Sequence, residues 1–162
     1  MRLVIAEDNY LVREGTAAIV ARAAAVSAPV DLTAAGDALG HGFNLLYTRV
    51  FLSTLKKKSL AKLEHHPGLY EAALVRNAGT LRAFDNVVTA PLHGFRDTDD
   101  YWTRASAKPL LTHIGVPTLM VNARNDPFLP ESALPRPSEV SPAVTLEFPQ
   151  AGGHVGFVSG PF

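Results

Sequence analysis

Hydrophobic and polar positions divide the chain into short apolar runs separated by a long helical stretch. Leu3-Val4-Ile5-Ala6 is apolar and bounded by charge, which predicts a buried strand, and Tyr10 to Val20 reads as a helix. Ala23 to Ser27 predicts a second strand, stopped by Pro29. From Asp37 to Leu63 the period changes. Leu39, Phe43, Leu46, Tyr47, Val50, Phe51 and Leu55 fall at steps of three and four, which makes one apolar helix face over one or two helices. A further helix is expected over Leu69 to Phe84, and Asp97 with Thr98 offers a cap for a short helix carrying Tyr101 and Trp102.

The clearest strand is Val116 to Ala123, where Thr118-Leu-Met-Val121 is the continuous run expected of a parallel strand covered on both faces. A proline-rich loop, Asp126 to Pro142, separates it from a strand at Val144 to Phe148 and a turn at Pro149 to Gly153. Strands separated by helices argue for the α/β class. No internal repeat is visible.

Two residues stand where such a fold does chemistry. Asp126 follows the end of the Val116 strand, and ligands of open α/β sheets bind at the carboxyl ends of strands. Taken alone, a loop aspartate more often makes a turn or caps a helix. His154 follows the next strand in Gly152-Gly-His-Val-Gly, 28 residues later, and taken alone reads as a surface-loop histidine. That spacing suffices for a short helix, a strand and a turn, so the two strand ends would face each other. An acid followed by a histidine is the back half of a triad: the carboxylate fixes the imidazole tautomer and the imidazole takes a nucleophile's proton.

Composition narrows the partners. The 162 residues are 47% apolar with 15 basic and 15 acidic side chains, so the chain exerts no general electrostatic pull on nucleic acid or anionic lipid. Lys56-Lys57-Lys58 reads as a solvated helix face. The absence of cysteine removes disulfides, thiolate metal sites and a cysteine nucleophile. No cofactor or metal is implied. The richest apolar run, Thr16 to Val30, is broken by Arg22 and ends at Pro29, so no transmembrane segment is expected, and a cytoplasmic protein is inferred.

Four stretches carry a family resemblance: Ala25-Val-Ser-Ala-Pro-Val-Asp-Leu32, Thr89-Ala-Pro-Leu-His-Gly-Phe95, Asn122 to Pro130, and Gly152-Gly-His-Val-Gly-Phe-Val-Ser-Gly-Pro-Phe162. In this order they resemble the YheT-like α/β-hydrolases, from about Arg22 onward. The resemblance implies a partial α/β-hydrolase fold over residues 21–162, a mostly parallel sheet with flanking helices. It implies hydrolysis of lipid-type carboxylic esters, with Asp126 and His154 as catalytic residues and a helical cap at about 37–107. It also makes the chain truncated at both ends. No Gly-x-Ser-x-Gly nucleophile elbow occurs in the sequence, so no turnover by the chain alone is expected. Among other serines, Ser27 precedes the acid but lacks a glycine-flanked turn, and Ser159 follows the histidine, which reverses the order. A partial sheet also predicts self-association.

The first twenty residues resemble something else. Met1-Arg-Leu-Val-Ile-Ala-Glu-Asp-Asn-Tyr-Leu-Val-Arg-Glu-Gly15 resembles the start of a response-regulator receiver domain, with Glu7 and Asp8 at its magnesium-binding acidic pair. No later stretch resembles a phosphoacceptor aspartate or its lysine, so a fusion or gene-model junction near Val20 is expected. The alternatives to an ester hydrolase are thus a catalytically dead fragment that binds a partner and a degenerate receiver.

Overall fold

The computed structural model describes residues 21–157; the expected strand Leu3–Ala6 and helix Tyr10–Val20 lie outside them. Three short strands, β1 (Ala23–Val26), β2 (Thr118–Val121) and β3 (Val144–Glu147), form one sheet in the order β1-β2-β3. Both pairings are parallel, with Ala23 opposite Thr118 and Thr118 opposite Val144. The register matters for function, because it brings the carboxyl ends of β2 and β3, and the loops that follow them, to one edge of the sheet. This sheet with its flanking helices is consistent with a partial α/β-hydrolase fold.

All the helical matter between β1 and β2 is one insertion. Its elements are α1 (Leu32–Leu39), α2 (Leu45–His65), α3 (Ala72–Asn77), α4 (Leu81–Phe84), α5 (Ala90–Leu92) and α6 (Thr98–Ala105), with 3₁₀ turns at Gly42–Asn44 and Lys108–His113 and a π-helical turn at Asp85–Thr89. Side-chain caps explain several starts. Asp31 accepts from the Ala34 N–H, Thr80 from Ala83 and Asp97 from Asp100. Helix α2 ends where Pro67 and Gly68 follow, with Gly68 at φ +86°. The helix expected over Leu69 to Phe84 is two, α3 and α4. Gly79 interrupts it, and the Thr80 hydroxyl satisfies a backbone donor that a continuous helix would use itself.

Two apolar cores follow from this layout. Val30, Leu111, Met120, Leu129, Leu134 and Val144 pack against the sheet, whereas Leu52, Val75, Phe84 and Val88 form a separate core inside the insertion. The exit and return of the insertion are tied together: Lys108 N–H donates to the Val30 carbonyl and Leu32 N–H to Ser106 Oγ, both at 2.9 Å. Arg82 bridges Asp37 and Asp99 and stacks over Trp102, its guanidinium 4.6 Å from the ring centroid. Its pKa is raised by the Asp99 carboxylate first and then by Asp37.

The apolar stripe runs from Leu39 at the end of α1 through Phe43 in a 3₁₀ turn (Gly42–Asn44) into α2, yet its exposed part does not face either core. Phe43, Leu46, Tyr47, Val50, Phe51 and Leu55 are exposed, while Thr48, Leu52 and Ser59 on the opposite side are buried. Strand β1 is also largely exposed; among the described residues it has a neighbour on one edge only. No helix among the described residues is long and apolar enough to cross a membrane.

Candidate active site

Asp126 sits in the turn after β2. Its side chain is fully buried, and a buried carboxylate needs partners for both oxygens. One oxygen, Oδ1, accepts the Phe128 N–H at 2.8 Å, the local turn bond that an aspartate makes two residues back from a donor. The other, Oδ2, lies 3.0 Å from His154 Nδ1. The plain turn-making role and the histidine contact therefore coexist, one on each oxygen.

His154 reaches this position through a loop held at several points. Asn125 Oδ1 accepts both the Gly152 and Gly153 N–H groups at 3.0 Å. Gly153 takes φ +53°, which glycine adopts without strain. The Arg124 N–H donates to the Pro149 carbonyl at 2.9 Å, so the strand ends stay together as the chain turns. The imidazole is 39% exposed while its acid is sealed from solvent. A carboxylate only accepts, so this contact assigns the proton to Nδ1 and leaves the lone pair on Nε2. Such a ring can accept a proton from a hydroxyl and be stabilised as it becomes charged.

An aromatic strip adjoins the ring. The Phe128 centroid is 4.7 Å from that of His154, and Tyr47 and Phe51 of α2 meet Phe128 edge-on at 5.0 and 6.1 Å. Asn44 Nδ2 donates to the Pro127 carbonyl at 2.6 Å, joining the start of α2 to the acid's loop. The exposed stripe of α2 thus leads to the histidine.

The structure brings Asp126 and His154 together and leaves the serine question where the sequence put it. Ser27, at the end of β1, is 4% exposed, and its hydroxyl donates to the backbone carbonyl of His154. Ser159 lies outside the described residues, as do Glu7 and Asp8. Among the described residues no group of three or more histidine or acidic side chains could hold a metal. Sequence reasoning missed Asn125, Phe128 and Asn44. Adjacency to Asp126 was an available signal for the first two; for Asn44 there was none.

An acid followed by a histidine is the chain order that α/β-hydrolases use, and the chain's relatives bear hydrolase names. It is 37% identical over 152 residues to an Escherichia coli (strain K12) protein named "Putative esterase YheT", covering 93% of this chain and 45% of that protein. It is 33% identical over 154 residues to phospholipase ABHD3 of Mus musculus, covering 94% of this chain and 38% of that protein. A Saccharomyces cerevisiae monoacylglycerol lipase is 29% identical over 165 residues, covering 92% and 35% respectively. These similarities support an α/β-hydrolase relationship, and the chain spans less than half the length of each of these relatives. No protein-family model matches the chain. No solved structure gives a significant match.

Proposed function

We propose that this chain is the acid-and-histidine part of a serine-type carboxylic ester hydrolase of the YheT-like group, acting on lipid-type esters. The hydrogen bond between buried Asp126 and half-exposed His154 carries the reading. In the proposed cycle His154 Nε2 takes the proton of a serine hydroxyl as that oxygen attacks the ester carbonyl. It then returns the proton to the departing alcohol, and a water repeats the sequence on the acyl-enzyme. Asp126 holds the ring and stabilises the imidazolium. The nucleophile elbow and its oxyanion donors are supplied by residues other than those of this sequence, which contains no Gly-x-Ser-x-Gly. The helical insertion, about residues 37–107, is the cap in this reading. The aromatic strip of Tyr47, Phe51 and Phe128 beside the histidine supports an apolar acyl group, and so do the relatives' names.

The chain alone is expected to show negligible turnover on short- and medium-chain acyl esters. The positive test is a chimera in which residues 22–162 replace the matching segment of the Escherichia coli relative. The chimera should hydrolyse such esters, Asp126→Asn should lower kcat by about 10⁴-fold and His154→Ala by about 10⁶-fold. An active chimera indifferent to both substitutions would refute the assignment. Turnover by the chain alone that vanishes in Ser27→Ala would make Ser27 the nucleophile.

A second reading, a partner-binding or self-associating fragment, is favoured by the exposed apolar stripe on α2 and on the turn before it, where Phe43 is 78% exposed, and by a β1 edge that has no neighbour among the described residues. For the first twenty residues the receiver-like junction stands as a proposal. A relative matched over 93% of the chain takes in part of that stretch, which weighs against a boundary as late as Val20.

A further inference from the structure

Ser27 is the one non-glycine residue among the described residues with a positive φ, +52°. Side chains with a Cβ rarely adopt this conformation, and where they do the surroundings must hold them there. The surroundings here hold it at three polar groups of the turn. The Ser27 N–H donates to the Val121 carbonyl at 2.7 Å. Asn122 Nδ2, from a side chain that is itself buried, donates to the Ala28 carbonyl at 3.3 Å. The Ser27 hydroxyl donates across the sheet edge to the carbonyl of His154, 127 residues later in the chain.

We propose that Ser27 is a positioning residue for His154, its hydroxyl fixing the backbone of the histidine while Asp126 fixes the ring. Two anchors are needed because one leaves a freedom. The Asp126 bond holds Nδ1, but the ring can still swing about that point if its backbone moves. The Gly152-Gly153 approach is otherwise restrained by Asn125 ahead of the histidine and by the Gly156 N–H, which donates to the Gly152 carbonyl at 2.7 Å around it; among the described residues the histidine's own carbonyl is met by Ser27. A hydroxyl committed to a main-chain carbonyl, on a residue almost fully buried, is in the wrong place to act as a nucleophile and in the right place to brace one end of the base. The strained φ is the conformational cost of that reach. The inference rests on the reading of Asp126 and His154 as a working pair.

The test is the ring tautomer of His154, read from the nitrogen spectra of ¹⁵N-histidine-labelled protein at a pH where the ring is neutral. The wild-type chain should show the proton on Nδ1, assigned through its loss in His154→Gln. Ser27→Gly is the informative variant, because glycine takes φ +52° freely, so the hydroxymethyl group is removed without adding strain. It should melt cooperatively, yet the His154 signal should shift toward the Nε2-protonated form, and Ser27→Ala should do the same. A Ser27→Gly protein that keeps the Nδ1 proton overturns the proposal, because the hydroxyl is then dispensable. One that loses it only by ceasing to melt cooperatively also overturns it, because the role is then global. Asp126→Asn separates the two levels. If it leaves the tautomer unchanged, the acid–histidine pair itself falls, and the proposed function with it. If it shifts the tautomer while Ser27→Gly does not, only the role of Ser27 falls.

Discussion

Replacing Gly36 with alanine sets two known effects against each other. Gly36 lies in the interior of α1, where alanine is ordinarily better than glycine by about 1 kcal/mol because less backbone entropy is lost. Here an added Cβ would sit 2.6 and 2.7 Å from Cζ3 and Cζ2 of Trp102, and closer still to Cη2. Carbon atoms pack at about 3.5–4.0 Å, so the indole would have to retreat by roughly 1 Å. It has little room to do so. Trp102 is 4% exposed, its Nε1 donates to Asp85 Oδ2 at 2.9 Å, and Arg82 covers its face. Overpacking of a fixed ring costs about 1–3 kcal/mol, and weakening the hydrogen bond to the Asp85 carboxylate adds about 1 kcal/mol or more. The clash should win, leaving a net destabilisation of about 1–3 kcal/mol in urea unfolding. The decisive arm is a double-mutant cycle. In a Trp102→Leu background the obstacle is gone, so Gly36→Ala should turn stabilising. Should Gly36→Ala stabilise the otherwise wild-type chain, or fail to change sign in the Trp102→Leu background, the packing argument is wrong.

Two other expectations concern the acid's loop and the insertion. Leu129, 1% exposed and three residues after Asp126, belongs to the sheet core, so Leu129→Ala should cost about 2–5 kcal/mol in the same assay; a loss well under 1 kcal/mol would mean the loop collapses freely around the site. Asp97 is held below the usual carboxylate range by the Arg96 guanidinium first and then by the Asp100 N–H that it caps. A carboxyl with a depressed folded-state pKa contributes stability above its unfolded value, near 3.9, and loses that contribution as pH falls through the folded value. Asn at this position keeps the capping acceptor and does not titrate. The stability difference between wild type and Asp97→Asn should therefore shrink as the pH drops below about 4, and a difference constant from neutral to acid would contradict the assignment.

The three strands were legible in the sequence because each is a short apolar run ended by local chemistry: Pro29 after β1, Asn125-Asp126-Pro127 after β2, Pro149 after β3. The order and spacing of Asp126 and His154 were legible for the same reason, since parallel strands put consecutive loops on one edge. What held the site together was not. The anchors of the histidine come from Ser27, Asn125 and Asp126, and those contacts span 127, 27 to 28, and 28 residues of sequence. No local pattern encodes such a bond; it exists only once the sheet has set the register. The stripe on α2 makes the same point from the other side. Its period of three and four gave a helical segment with an apolar face, which the structure divides among the end of α1, a 3₁₀ turn and α2. Periodicity says which side chains share a face, but whether that face is buried depends on what the rest of the chain brings against it. The fold buries Thr48, Leu52 and Ser59 instead, and turns the end of the stripe toward Phe128 and His154.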